Sequence, residues 1–231
     1  MVSRSGFVSP SLLLRDWLTA MSTQREHLAW HVAGHAYAAT MCGFSVHKLS
    51  LDGFTEADLA DRGYAQRLDH CTMICIPEWT AMSGPHAFAR MHEALLSMAI
   101  AGPAVELLHR EIPCVVPNVE QFTDDWAQAL KAAESLWPDE DLRRFNLDRW
   151  VNNSMAVDFS GWSGAFYEVV VGQLLNHGVM TGSEVQAAWD QMKAREAESN
   201  RKWLRTRIQP DRPEYPESLG KNFLISREHW G

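Results

Sequence analysis

The chain has no Cys-x-x-Cys pair, no long unbroken apolar run and no excess of positive charge. Its cysteines, Cys42, Cys71, Cys75 and Cys114, lack the paired spacing of a zinc knuckle, and Cys71 and Cys75, four apart, suit one face of a helix. They read as buried, reduced thiols of a cytoplasmic protein. Lys and Arg number 21 against 29 Asp and Glu, a formal charge of -8. That balance favours solubility and gives no footprint for general nucleic-acid binding. The apolar stretches read as shorter than the roughly 20 residues that span a bilayer. Ser11-Leu12-Leu13-Leu14 is broken at once by Arg15-Asp16 and fails as a signal-peptide core. The expectations are a cytoplasmic location, no membrane and no nucleic-acid partner. Internal repeats and low-complexity tracts are also missing.

What is present begins with a histidine pair. Residues 31–35 read His31-Val32-Ala33-Gly34-His35. Histidines four apart share one helical face and can grip one metal ion. The spacing is that of the zinc-hydrolase helix His-Glu-x-x-His, whose glutamate is the general base toward water. Val32 stands in its place and cannot take a proton. A zinc site needs at least three protein ligands, so a third must come from elsewhere in the chain.

At 231 residues the chain can bury a substantial core as one domain, or as one domain with an appendage. The expected fold class is mainly α with a small β-sheet (α+β). After frayed residues 1–9, Pro10 to Met21 reads as a short helix with Leu13, Leu14, Trp17 and Leu18 on one side. Ser22 or Thr23 can cap a second helix running to about Cys42, which Gly43 ends. Val46 to Leu51 alternates and reads as a strand, and Gly63-Tyr64-Ala65 belongs to a second short one. Pro85 to Arg110 is helical, with Pro103 expected to kink it or start a new helix. Thr123, a candidate cap, opens a helix to Leu136. Residues 146–157 and 162–177 give two more, and Thr181 or Ser183 caps a last one reaching about Arg207. The tail from Gln209 carries Pro210, Pro213 and Pro216. Residues 193–207 hold six Lys or Arg against two Glu, which reads as a solvated helical face.

Residues 28–37, Leu-Ala-Trp-His-Val-Ala-Gly-His-Ala-Tyr, resemble the zinc helix of the FtsH-type metallopeptidase domain, a bulky residue followed by His-Glu-Ala-Gly-His-Ala. Val46 to Leu51 is similar to the strand that follows it there, and Gly63-Tyr64-Ala65 to a small-aromatic-small step. Ala101-Gly102-Pro103-Ala104-Val105-Glu106 resembles the family's Ala-Gly-Arg-Ala-Ala-Glu. Thr123 to Ala129 resembles its Asn-Asp-Leu-x-x-Ala-Thr, and Leu174 to Met192 its closing helices. The family order is kept over roughly residues 24–192. The resemblance divides the chain into an N-terminal extension (1–23), an FtsH peptidase-like domain (24–192), and a C-terminal basic helix with a proline-containing tail (193–231).

The resemblance implies one Zn2+ held by His31, His35 and Asp125, with Glu106 hydrogen-bonded to one of the histidines. The family's edge strand pairs with extended substrate through backbone hydrogen bonds. That implies a peptide-binding strand at His47, Leu49 and Leu51, and an extended peptide or protein as partner. The sequence has no Gly-x-x-x-x-Gly-Lys-Ser/Thr loop and no membrane helix of the family, so the expectation is a stand-alone relative without a built-in ATPase. His27, one turn before His31, and Asp124, beside Asp125, are accessory candidates. Glu26, His27, Glu106 and Asp124 are the groups that would have to replace the missing base. Three functions follow: a metal-binding relative with weak or no proteolysis, a metallopeptidase rescued by another base, and a metal site repurposed for a different reaction, such as a step in a biosynthetic pathway.

Overall fold

The computed structural model describes residues 10–55, 65–67, 72–77, 86–157 and 163–207. The elements run α1 (Pro10–Met41), β1 (Phe44–Ser50), β2 (Ala65–Arg67), β3 (Thr72–Pro77), α2 (Ala87–His109), α3 (Val116–Val119), α4 (Thr123–Leu136), α5 (Glu140–Val157), α6 (Ser163–His177), β4 (Val179–Thr181) and α7 (Gly182–Arg207). This is a mainly helical fold with a small antiparallel sheet, as the sequence pattern implies. The chain divides into two compact units, Met1–Lys193 and Ala194–Gly231. The first holds both hydrophobic clusters. The expectations for residues 1–9, for the face formed by Leu13, Leu14, Trp17 and Leu18, for Gly63-Tyr64, for Cys71 and for the tail from Gln209 lie outside the described residues.

α1 is one helix of 32 residues rather than two. Ser22 and Thr23 have cap chemistry, but the surrounding segment contains no Gly or Pro to stop a helix already running. Gly43, with φ 79, turns the chain out of α1 in a conformation that costs a residue without Cβ little.

β1 then enters the sheet, whose order is β2-β3-β1-β4. Its register against β3 shifts between Val46 and Lys48, which leaves His47 as a bulge. The bulge switches the buried positions from Phe44 and Val46 to Leu49 and Leu51. Simple alternation over 46–51 therefore fails.

β1 is also not an edge strand. It pairs with β3 on one side and, through Lys48, Leu49 and Ser50, with β4 on the other. Next along that side, Gly182 lies against the Val46 carbonyl with no room for a Cβ. The peptide-pairing strand expected at His47, Leu49 and Leu51 is corrected on this ground: its hydrogen-bonding sides are occupied, and Leu49 and Leu51 are core residues. β4, three residues between Gly178 and α7, is too short to show a period in the sequence. β3 was likewise unread. It places Cys75 opposite Val46 on a strand, not on a helix face.

α2 is the central wall. Ala94, Met98 and Val105 pack into a cluster with α1, β1, β3, α6 and the start of α7. Leu96, Ala99, Ile100, Ala104 and Leu107 pack into a second cluster with α4 and α5. A helix buried on both sides is apolar all round. By length and composition α2 is therefore apolar enough to cross a membrane, contrary to the sequence reading, and 56% of its most apolar window is buried within the fold. It continues through Pro103 without a break. Proline removes one intrahelical hydrogen bond, and packing on both faces keeps the helix together.

α5 begins at Glu140, six residues before its expected start, because the Asp139 carboxylate accepts the Leu142 N–H at 2.8 Å and caps it. α4 begins after Phe122, and no side chain caps it. α7 is closed by a capping box: the Glu184 carboxylate accepts the Thr181 N–H at 2.7 Å, and the Thr181 hydroxyl accepts the Glu184 N–H at 3.4 Å.

Candidate metal centre

Three helices build the centre. α1 presents His31 and His35 on successive turns of one face. α4 presents Asp125 from its first turn, where the helix dipole favours a carboxylate. α2 runs between them and fixes both imidazoles. Close approach of α1 and α2 makes this possible. A Cβ on Gly34 would stand 2.5 Å from the Ala101 carbonyl oxygen, and one on Gly102 would overlap the His35 ring. Two glycines, one on each helix, thus let the backbones and the histidine share one plane of contact.

The ligand atoms converge. His31 Nε2 lies 3.0 Å from His35 Nε2 and 3.1 Å from Asp125 Oδ2, and His35 Nε2 lies 3.5 Å from Asp125 Oδ1. All three side chains are buried, and among the described residues they are the cluster able to hold a metal ion. The outer ring nitrogens are held as well. His31 Nδ1 donates to Glu106 Oε2 at 3.1 Å, and His35 Nδ1 donates to the Met98 carbonyl at 2.7 Å. Outer partners of this kind fix the tautomer so that both Nε2 atoms face inward. The Phe122 ring, 5.4 Å from the His31 ring and near parallel to it, covers that imidazole.

Burial disfavours a charged His31, but hydrogen bonds to Asp125 and Glu106, with their charges, outweigh it and raise the imidazole to about 9. Burial holds His35 down at about 4, the Asp125 charge opposing only in part. His35 is therefore neutral, its proton is on Nδ1, and its Nε2 carries a lone pair. Facing that lone pair is Asp125 Oδ1, which is buried and accepts no hydrogen bond. His31 Nε2 stands beside both groups, 3.0 Å from His35 Nε2 and 3.1 Å from Asp125 Oδ2, so a proton there bridges them in the metal-free protein, and Asp125 Oδ1 is the buried acceptor left without a donor. Two imidazoles and a carboxylate, with positions left open, suit Zn2+ or Fe2+. The residues fit a divalent cation.

Val32 has no exposed surface and belongs to the cluster shared by α1, the sheet and α6. Among the described residues no candidate base takes over its place. Glu106 has both oxygens engaged, by His31 and by Arg110 at 3.0 Å. Burial alone would raise its carboxyl, but those partners hold it below the usual range, which makes it a weak base. Asp124 is exposed. Glu26 lies 3.4 Å from His109, and the His27 ring stands edge-on to His109 at 5.8 Å. Neither His27 nor Asp124 joins the metal cluster.

The structure thus brings together His31, His35 and Asp125 as a group that could hold a metal ion, with Glu106 hydrogen-bonded to His31, and leaves His27 and Asp124 outside it. It adds Gly102, Phe122 and the Met98 carbonyl. A main-chain acceptor has no signature in sequence. Gly102 lay inside a motif segment without a reason attached. The centre opens on one side into a cavity of about 400 Å3 bordered by His31, Asp125, Glu106, Arg110 and Phe122. Comparison with protein-family models and with curated proteins finds no match, so the FtsH-type resemblance rests on the motif residues.

Proposed function

We propose that this protein is a metal-binding relative of the FtsH-type zinc peptidases, with Zn2+ as its ion, that has lost efficient proteolysis. The observation carrying the reading is the buried His31–His35–Asp125 convergence with an unsatisfied Asp125 Oδ1, together with a fully enclosed Val32 next to His31 in sequence. A bound Zn2+ would supply Lewis-acid polarisation of a coordinated oxygen. His31 and His35 would hold it through Nε2, and Asp125 would balance part of its charge. Glu106 and the Met98 carbonyl keep the two imidazoles in the ligating tautomer. Val32 gives that centre an aliphatic neighbour, so no side chain at this position removes a proton from water. A positioned general base contributes about 10²–10⁴-fold, and the chain forgoes that factor.

Elemental analysis of the purified protein, of His35→Ala and of Asp125→Ala tests the site. One zinc per chain in the parent and little in either variant supports it. Full occupancy in both variants removes these ligands from consideration, and iron in place of zinc moves the reading to a repurposed site. A casein digest with and without chelator tests the chemistry. Robust, chelator-sensitive cleavage by the unmodified chain overturns the loss of proteolysis.

A further inference from the structure

The cavity beside the ligands has a character of its own. Its apolar wall is Leu28, Leu107, Ile112 and Phe122, and its polar edge is Arg110 with the amides of Asn118 and Gln121. About 400 Å3 is room for a small organic molecule. Arg110 follows the last residue of α2 and leans on Glu106 through Nη1 alone among the described contacts. Its side chain is 38% exposed, so the rest of the guanidinium faces the cavity and solvent. The next residue, Glu111, sits at φ 57, a left-handed conformation rare for a residue with a side chain. That turn ends α2 and sends both Arg110 and Ile112 to the cavity wall. Strain held at such a position marks a geometry worth keeping.

The charges select the occupant. A bound divalent cation would keep both imidazoles neutral, and with Asp125 as ligand and Glu106 and Arg110 offsetting each other it would leave one positive charge uncompensated in a largely buried site. We propose that this cavity binds a small monocarboxylic acid, its carboxylate on the Arg110 guanidinium at the edge of the metal centre and its apolar body against Phe122 and Ile112. A planar guanidinium fork matches a carboxylate. The proposal rests on the metal reading above and names the class of ligand for that same centre.

The test is calorimetric titration of the zinc-loaded protein with benzoate and with benzamide, which match in shape and differ in charge. Arg110→Gln and Arg110→Lys are titrated alongside, and zinc is measured in every sample. Benzoate is expected to bind at least about tenfold more tightly than benzamide. Arg110→Gln is expected to weaken benzoate by about tenfold with zinc content unchanged, and Arg110→Lys to recover part of the loss. Equal affinities for the two probes, or unaltered benzoate binding in Arg110→Gln, overturn the proposal. Absence of zinc from the parent overturns the underlying metal reading instead, and the zinc measurement separates the two failures.

Discussion

Gly102 and His35 meet where no side chain fits: a Cβ on Gly102 would overlap the imidazole on the very nitrogen offered to the cation. Gly102→Ala must therefore move the His35 ring or part α1 from α2. The expected result is loss of stoichiometric zinc together with about 1–3 kcal/mol of stability, the usual cost of overpacking. Elemental analysis and thermal unfolding of the variant check both. An alanine variant with full zinc and parental melting would show that the helices can separate freely.

Asp125→Asn distinguishes a metal ligand from a structural acid. The amide can donate to the His35 Nε2 lone pair, which in the metal-free protein faces an acceptor. The carboxamide is a poor ligand. Zinc affinity should fall by at least about 100-fold, at or beyond the upper end of an outer-partner change, while the metal-free variant keeps a cooperative unfolding transition. Competition with a chromogenic chelator measures the first and circular dichroism the second. Glu106→Gln, one shell out, should cost about 10–100-fold in affinity.

Val32→Glu carries two expected outcomes. A carboxyl placed where Val32 sits, with no exposed surface among apolar neighbours, should lower stability by about 3 kcal/mol or more at neutral pH. Denaturant melts report it. Zinc-dependent cleavage of casein gained by any folded fraction, over a parent that cleaves little, would support the missing base as what limits the parent.

The thiols should sort by burial. Burial pushes Cys75 up to about 12 and Cys114 up to about 11, so neither forms appreciable thiolate at pH 8, whereas Cys42 is only half-buried. Native alkylation followed by peptide mapping should label Cys42 well ahead of Cys75 and Cys114, and denaturant should erase the difference.

Glu111 offers a stabilising change. At φ 57 a side chain costs about 1–2 kcal/mol that glycine avoids. Glu111→Gly should raise the melting temperature without altering zinc content, since the carboxyl of Glu111 belongs to neither the metal cluster nor the cavity lining.

The metal centre was legible because its two imidazoles obey the helical repeat and its carboxylate sits in an ordered series of short motifs. α2 and α4 were legible from their apolar spacing. Less visible were features whose cause lies across space. The bulge at His47 exists only relative to β3, and β4 exists only because β1 leaves one side open to it. The continuity of α1 was hidden by two hydroxyl residues that cap helices elsewhere and here sit inside one. Asp139 caps α5 in a mostly charged stretch whose sparse apolar spacing does not mark a helix, so the pattern shows the element only from about residue 146. The partner of His35 is a carbonyl, which every residue carries.

The three side chains that could hold a cation come from α1 and α4, with α2 supplying the supports between them. During synthesis the ribosome releases His31 and His35 long before Asp125. A nascent chain thus displays two bare imidazoles and no pocket to select an ion. Acquisition of the proposed metal would wait until the first half of the polypeptide and the start of α4 have emerged and collapsed together. Loading would then be a late event in the life of each molecule, open to competition among whatever ions the cell supplies at that moment.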